Sequence, residues 1–156
     1  EVCGREGRRR IGFGELYLGY KKLSLKADEI ITRTFLPLPK KDELVRLYKI
    51  SRRQHLDISA FTAAIRIELE GDLIKSAGVV YGGVAETVRR LDAVEGVLVG
   101  KEFCLDTFKK AAEMARIQVD PISDVRGSRD YRRQLAENIM LKFYYETSET
   151  RELVCL

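Results

Sequence analysis

Residues 58–69 alternate: Phe61, Ala63, Ile65, Ile67 and Leu69 fall on one side, and Thr62, Ala64, Arg66 and Glu68 on the other. Period two over this length marks a strand with one face buried, because successive side chains of an extended chain point to opposite sides. Glu70, Gly71 and Asp72 then form a tight turn, so residues 73–81 are expected to return antiparallel as the hairpin partner. After Gly83 the period changes. Val84, Val88, Leu91, Val94 and Leu98 recur at steps of three and four, which predicts a helix that buries one side, and Gly96 and Gly100 weaken and end it.

Two more helices are expected downstream. Asp106 is a good N-cap for a helix with Phe108, Ala111, Ala112 and Ala115 on its apolar side, ending at Val119 before Pro121. The small side chains imply close packing. Ser128 can cap a last helix through Tyr131, Leu135, Ile139 and Phe143 that frays from about Ser148. Upstream, residues 28–36 and 44–51 read as strands, the first stopped by Pro37 and Pro39, and residues 1–20 as a hairpin or bulged strand around a Gly4 to Gly7 turn. Strands come first and helices follow, without β-α-β alternation. The expected fold class is therefore α+β: an antiparallel sheet of three to four strands followed by three helices packed on one face, a two-layer sandwich.

A length of 156 residues suits one domain with a real core, and 45% hydrophobic with 33% charged residues favours neither a disordered nor a fibrous chain. No apolar run approaches the roughly 20 residues needed to span a bilayer, and residues 1–10 lack the apolar stretch of a signal peptide, so no membrane partner and a cytoplasmic location are expected. The first residue is Glu1 rather than Met, so the chain reads as a piece of something larger. Cys3, Cys104 and Cys155 are isolated and odd in number, which builds neither a disulfide framework nor a CxxC metal clip. A net charge of +4 spread over both signs does not call for nucleic acid.

Few residues stand out chemically. His55 is the one histidine, so neither a multi-histidine metal site nor a triad beyond this imidazole can be built, and with Asp57 two residues on it reads as a surface residue before a strand. Lys49, Arg52 and Arg53 are the best anion contacts, a point charge and two forks, with a solvated strand end as the plain alternative. Gly82-Gly83 at a strand-to-helix junction either admits a ligand to the backbone or simply turns sharply, and Glu86 disfavours an anion there. Arg126, Arg129, Asp130, Arg132 and Arg133 are expected on the wet side of the last helix. The stretch Arg10 to Tyr17 has the Gly-Phe-Gly of an RNA-recognition strand, but Glu15 stands where a stacking aromatic belongs and would repel phosphate.

Longer stretches carry a family likeness: Tyr48 to Leu69 with Val79 to Glu86, Leu18-Gly-Tyr-Lys-Lys22, Asp28-Glu-Ile-Ile31 and Pro121 to Arg133. Over about residues 8 to 146 the chain resembles the C-terminal domain of the FAD-binding (flavoprotein) subunit of molybdenum hydroxylases, most closely the xanthine dehydrogenase small subunit, within the CO dehydrogenase flavoprotein C-terminal domain family. The resemblance implies an oxidoreductase in which a molybdopterin centre hydroxylates substrate, [2Fe-2S] clusters relay the electrons, and FAD passes them to NAD or another acceptor. It implies that this domain covers one side of the FAD site, with cofactor contacts at Ile31 and Lys49 and neither a catalytic residue nor a metal ligand. The implied partners are an upstream FAD-binding domain and a molybdopterin-binding subunit or domain. The glycine-rich loops that hold the FAD pyrophosphate and the cluster cysteines are not in this sequence, so the isolated chain is expected to bind no FAD and to be inactive. The implied layout is residues 1–26 as the end of the preceding FAD-binding domain and linker, 27–147 as the domain itself, and 148–156 as a frayed tail. The competing class is a non-enzymatic interaction module, binding RNA or docking protein.

Overall fold

A computed structural model describes the backbone of residues 1–53 and 55–154 and side chains through residue 149, Gln54 excepted. Cys155 lies outside the described residues. The chain divides into two compact units, Glu1–Leu38 and Pro39–Leu156.

The first unit is built from short pieces. Strands β1 (Val2–Gly4) and β2 (Gly7–Arg9) form the expected hairpin, with Gly7 at φ 117° where a side chain would strain. A one-turn helix α1 (Phe13–Leu16), a ribbon of β3 (Tyr17–Gly19) with β4 (Lys22–Leu23), and β5 (Ile30–Ile31) follow. The strand expected over 28–36 shrinks to β5. Among the described residues it pairs only with β1, Val2 opposite Ile31, and it joins the small sheet β2-β1-β5 rather than the main one. Because β1 is three residues long, the ladder ends there; Thr32 and Arg33 still donate to the Glu1 carbonyl, and Phe35 and Leu36 stay exposed. Arg9 holds Glu29 through two bonds of 2.7 and 2.8 Å, and this guanidinium, with the Lys26 amide, pulls the Glu29 carboxyl down to about 2.

The second unit carries the sandwich. β6 (Glu43–Ile50), β7 (Phe61–Glu70), β8 (Leu73–Gly82) and β9 (Arg89–Arg90) form a sheet in that spatial order, every pair antiparallel, and α2 (Asp92–Leu98), α3 (Leu105–Gln118) and α4 (Arg129–Val154) follow. The β7–β8 hairpin turns where expected, with Gly71 at φ 63°. Phe61, Ala63, Ile65 and Ile67 of β7 are buried together with Val79 and Tyr81 of β8 against Val94, Leu98, Phe108, Ala111, Ala112, Ala115, Ile139, Met140 and Phe143 of the helices. Phe61 meets Tyr81 edge-on at 5.0 Å, and Phe108 stacks on Phe143 at 5.9 Å. The alanines of α3 are its buried face, which lets α3 lie close against its neighbours. The fold is thus an α+β sandwich with its helices on one face of an antiparallel sheet.

The helix expected from Val84 to Leu98 forms only over Asp92–Leu98. Residues 83–87 are a run of bends that leads into β9, whose Arg89 and Arg90 pair with Tyr81 and Val80, while the Leu91 amide donates to the Val79 carbonyl. Val84, Leu91, Val94 and Leu98 are all buried, so their spacing is satisfied by a run of bends, a two-residue edge strand and a short helix, and Val88 is 60% exposed. The buried Glu95 completes that edge: its carboxylate accepts from the Val79 amide at 2.9 Å and from Arg90. In α3, Asp106 lies in the first turn, paired with Lys110 at 2.8 Å, rather than at the cap, which is Cys104. α4 opens as expected, the Tyr131 amide donating to Ser128 Oγ at 3.1 Å, but Tyr131 itself is 44% exposed and the helix continues past Ser148. Among the described residues no helix is long and apolar enough to cross a membrane.

Candidate functional site

Alternation along the sheet that buries one face leaves the other for Val45, Leu47 and Lys49 of β6, Thr62, Ala64 and Arg66 of β7, and Gly78, Val80 and Gly82 of β8. These are mostly small or apolar side chains, and Leu47 is 77% exposed. The centre of the face is a shallow hollow of about 240 Å³ between Val45, Ala64, Gly78 and Val80, bounded by Arg66 and Arg90. A flat surface of small residues with few protruding groups suits a planar ring or another protein surface.

The charges on this face are almost all spoken for. Arg66 donates to Glu43 at 2.9 Å and lies 3.8 Å from Glu68, which Lys40, Lys75 and Ser76 also approach. The Lys40 amide, then the Arg66 guanidinium, hold the Glu43 carboxyl below its usual range. Arg90 is bidentate to Glu95. Lys49 differs. It is exposed, sits opposite Thr62, and has no acidic partner among the described residues.

Ile31 belongs to the first unit, on β5, 52% exposed. It lines a hollow of about 350 Å³ shared with Val2, Phe13, Leu16, Tyr17 and Phe35, and the Arg10 guanidinium lies 4.5 Å from the centre of the Phe35 ring. That surrounding suits an apolar contact with a ligand, with one cation at its side.

Gly82 and Gly83 serve the backbone. A Cβ on Gly82 would sit 2.4 Å from Thr62 Oγ1, and one on Gly83, whose φ is 80°, would sit 2.6 Å from the Ala60 carbonyl oxygen. The pair lets the end of β8 pass tightly over the start of β7. No helix begins there, so no helical amides are aimed at an anion, and Glu86 is exposed away from any helix start.

The Gly83 carbonyl instead accepts from Arg132 Nη1 at 3.1 Å, while Arg132 Nη2 donates to Asp124 at 2.7 Å. Arg132 is only 5% exposed, which corrects its expected place on the wet side of the last helix. Asp124 also accepts from the Arg126 and Gly127 amides, and these bonds, the Arg126 amide foremost, hold its carboxyl below the usual range. Neither residue stands out in sequence, because a run of alternating charges gives no sign of which arginine turns inward.

Arg52, Arg53 and His55 lie in the segment between β6 and β7, all exposed. His55 stands before the strand, and Asp57 is engaged with the Arg53 and Ile58 amides at 2.9 and 3.0 Å, not with an imidazole. Arg52 and Arg53 are not on the face that carries Lys49; they line a separate cleft with Asp57, Ile58 and Arg126. The three cations that sequence placed together thus serve two different surfaces.

Comparison with known proteins gives one consistent picture. Residues 46–147 match the family model of the CO dehydrogenase flavoprotein C-terminal domain. The chain is 30% identical over 141 residues to a xanthine dehydrogenase of Oryza sativa subsp. japonica, covering 87% of this chain and 10% of that protein. It is 28% identical to the glyceraldehyde dehydrogenase medium chain of Sulfolobus acidocaldarius, covering 94% of this chain and 52% of the relative. Its fold is that of a chain of carbon monoxide dehydrogenase from Hydrogenophaga pseudoflava, with a TM-score of 0.84 at 24% identity over 90% of this chain and 49% of the other. The chain therefore spans about a tenth of the first of these relatives and about half of the medium chain.

Proposed function

Since the chain belongs to the CO dehydrogenase flavoprotein C-terminal domain family, we propose that it is the part of a molybdenum hydroxylase flavin subunit that covers one side of the FAD site. The observation that carries this is Lys49: a cation without an acidic partner among the described residues, at the edge of a flat face of small residues whose other arginines are neutralised. Such a face fits one side of a planar cofactor, and Lys49 fits the negative groups of a flavin or its phosphates.

FAD, when bound, would supply the relay of electrons from [2Fe-2S] clusters to NAD or another acceptor, the electrons coming from a molybdopterin centre. What this chain contributes is narrower. Lys49 would donate one charge-assisted hydrogen bond, worth about 1.5 kcal/mol or somewhat more. Ile31 would add an apolar contact from the hollow of the first unit. Val45, Leu47, Ala64 and Val80 would exclude water beside the cofactor. These groups shield and orient; none of them moves a proton or forms a bond, so no catalytic residue is assigned here.

The partners in this reading are an upstream FAD-binding domain and a molybdopterin-binding subunit or domain, in a cytoplasmic oxidoreductase of the xanthine dehydrogenase type. The relatives named as medium chain and as xanthine dehydrogenase support it, and because these 156 residues carry no glycine-rich pyrophosphate loop the isolated chain is expected not to hold FAD by itself. A visible absorbance spectrum of this chain, beside that of a form extended upstream through a flavin-binding region, tests it. Flavin bands confined to the longer form are expected; tight stoichiometric FAD on the short chain, or none on the longer one, would overturn it.

A further inference from the structure

A second surface of the sandwich unit is unaccounted for by the flavin reading. Between residues 51–60 and 121–128 lies a cleft of about 560 Å³ lined by Arg52, Arg53, Leu56, Ile58, Val125 and Arg126. It continues into a hollow of about 300 Å³ that shares Arg52, Ala60 and Arg126 and reaches Tyr131.

Its charge is unbalanced. Asp57 is the one carboxylate in its lining, against the three guanidiniums of Arg52, Arg53 and Arg126, which leaves an excess of two positive charges. Asp124 is already held by Arg132 at 2.7 Å, so Arg126, 3.4 Å away, is only partly compensated. Arg53 is 3.7 Å from Asp57 with its side chain 75% exposed, and Arg52 has no acidic partner among the described residues.

Its apolar groups are equally unusual. Leu56 is 99% exposed, Val125 82% and Ile58 66%, all beside the arginines. Leu56 has φ 52°, a backbone region that a bulky side chain rarely adopts. The segment is tied on both sides of it: Asp57 accepts from the Arg53 and Ile58 amides, and Ser51 Oγ donates to the Arg53 carbonyl at 2.8 Å. The fold therefore holds a leucine outward, against backbone preference, next to spare cations.

We propose that this cleft docks an acidic, aliphatic-bearing polypeptide segment of a partner protein. Charge complementarity selects carboxylates, which arginine forks engage in pairs. Branched aliphatic side chains select a segment with leucine-like anchors; a nucleotide would call for an aromatic stacking surface, and the one aromatic, Tyr131, lies in the adjoining hollow. The inference uses neither Lys49 nor Ile31, so it stands or falls separately from the flavin reading.

The test is fluorescence anisotropy of the full chain with a labelled synthetic peptide of alternating Glu and Leu, beside a Gln-Leu peptide and inorganic pyrophosphate as competitor. The Glu-Leu peptide is expected to bind more tightly than the Gln-Leu one and more weakly as salt is raised. Arg52→Glu with Arg126→Glu, and separately Leu56→Ser, should each weaken it at least about fivefold while circular dichroism is unchanged. Equal affinity for both peptides, or no loss in either variant, would overturn the proposal. So would pyrophosphate displacing the peptide while Leu56→Ser has no effect, which would make the cleft a small-anion site.

Discussion

The two faces of the main sheet are written by the same strands and do opposite things. On the inner face, Phe61, Ile65, Ile67, Val79 and Tyr81 are fully buried against three helices. On the outer face, Thr62, Ala64, Arg66, Gly78 and Val80 remain half-exposed, and all but Arg66 are small. Stability is concentrated on the inner side, the proposed cofactor contact falls on the outer one, and a period of two lets substitutions separate them. Changes at odd-numbered positions of β7 should unfold the unit, whereas changes on the outer face should leave it folded and alter what it meets.

The largest expected effect follows from the inner face. Phe61→Ala removes a fully buried ring in edge contact with Tyr81 and should cost about 3 to 5 kcal/mol in denaturant unfolding. A loss below about 1 kcal/mol would mean the inner face is not the core.

Next is the Asp124–Arg132 pair that ties the 121–128 segment to the Gly83 carbonyl. Asp124→Asn leaves the buried Arg132 short of its carboxylate and should cost about 2 kcal/mol. The folded Asp124 carboxyl is held below its ordinary value of 3.8, so its contribution is present above that value and lost as pH falls through and below it. The stability difference between wild type and Asp124→Asn should therefore shrink on acidification below about pH 4; a difference that grows instead would reverse the sign assigned to this group.

A smaller effect is expected at Tyr81, whose hydroxyl donates to the Ala136 carbonyl at 3.1 Å in the core. Tyr81→Phe should cost about 1 kcal/mol, read from the urea midpoint at constant m. The smallest effect on stability belongs to the outer face. Lys49→Ala should shift unfolding by less than about 0.5 kcal/mol, yet in the upstream-extended protein it should weaken FAD retention about tenfold, the equivalent of one charge-assisted bond.

The same alternation explains what sequence made legible. Period two over Phe61–Leu69, the Gly71 turn, the Ala-rich face of α3 and the Ser128 cap are local signals, and they appear where expected. The expected helix is absent over 84–91 because bends, a short edge strand and a short helix place apolar residues at the same steps as one long helix. Only the tertiary pairing of Arg90 with Val80 and Glu95 distinguishes the two. Residues 28–36 carry strand-like composition, but β1 is too short to pair with more than Ile30 and Ile31. Among the candidate site residues, Lys49 is legible as an exposed cation near the end of a strand. Its separation from Arg52 and Arg53 is not, since the chain leaves the sheet after Ile50, and the inward turn of Arg132 depends on Asp124 and Gly83, far from it in sequence or invisible to its periodicity.

The most direct test of the two-faced account is the flavin content, as the ratio of absorbance near 450 nm to that at 280 nm, of the upstream-extended protein carrying Lys49→Glu or Lys109→Glu. Both lysines are exposed, one on the outer sheet face and one on α3 of the helix layer. Flavin should be lost with Lys49→Glu and retained with Lys109→Glu, both proteins being folded. Equal flavin in the two would contradict it.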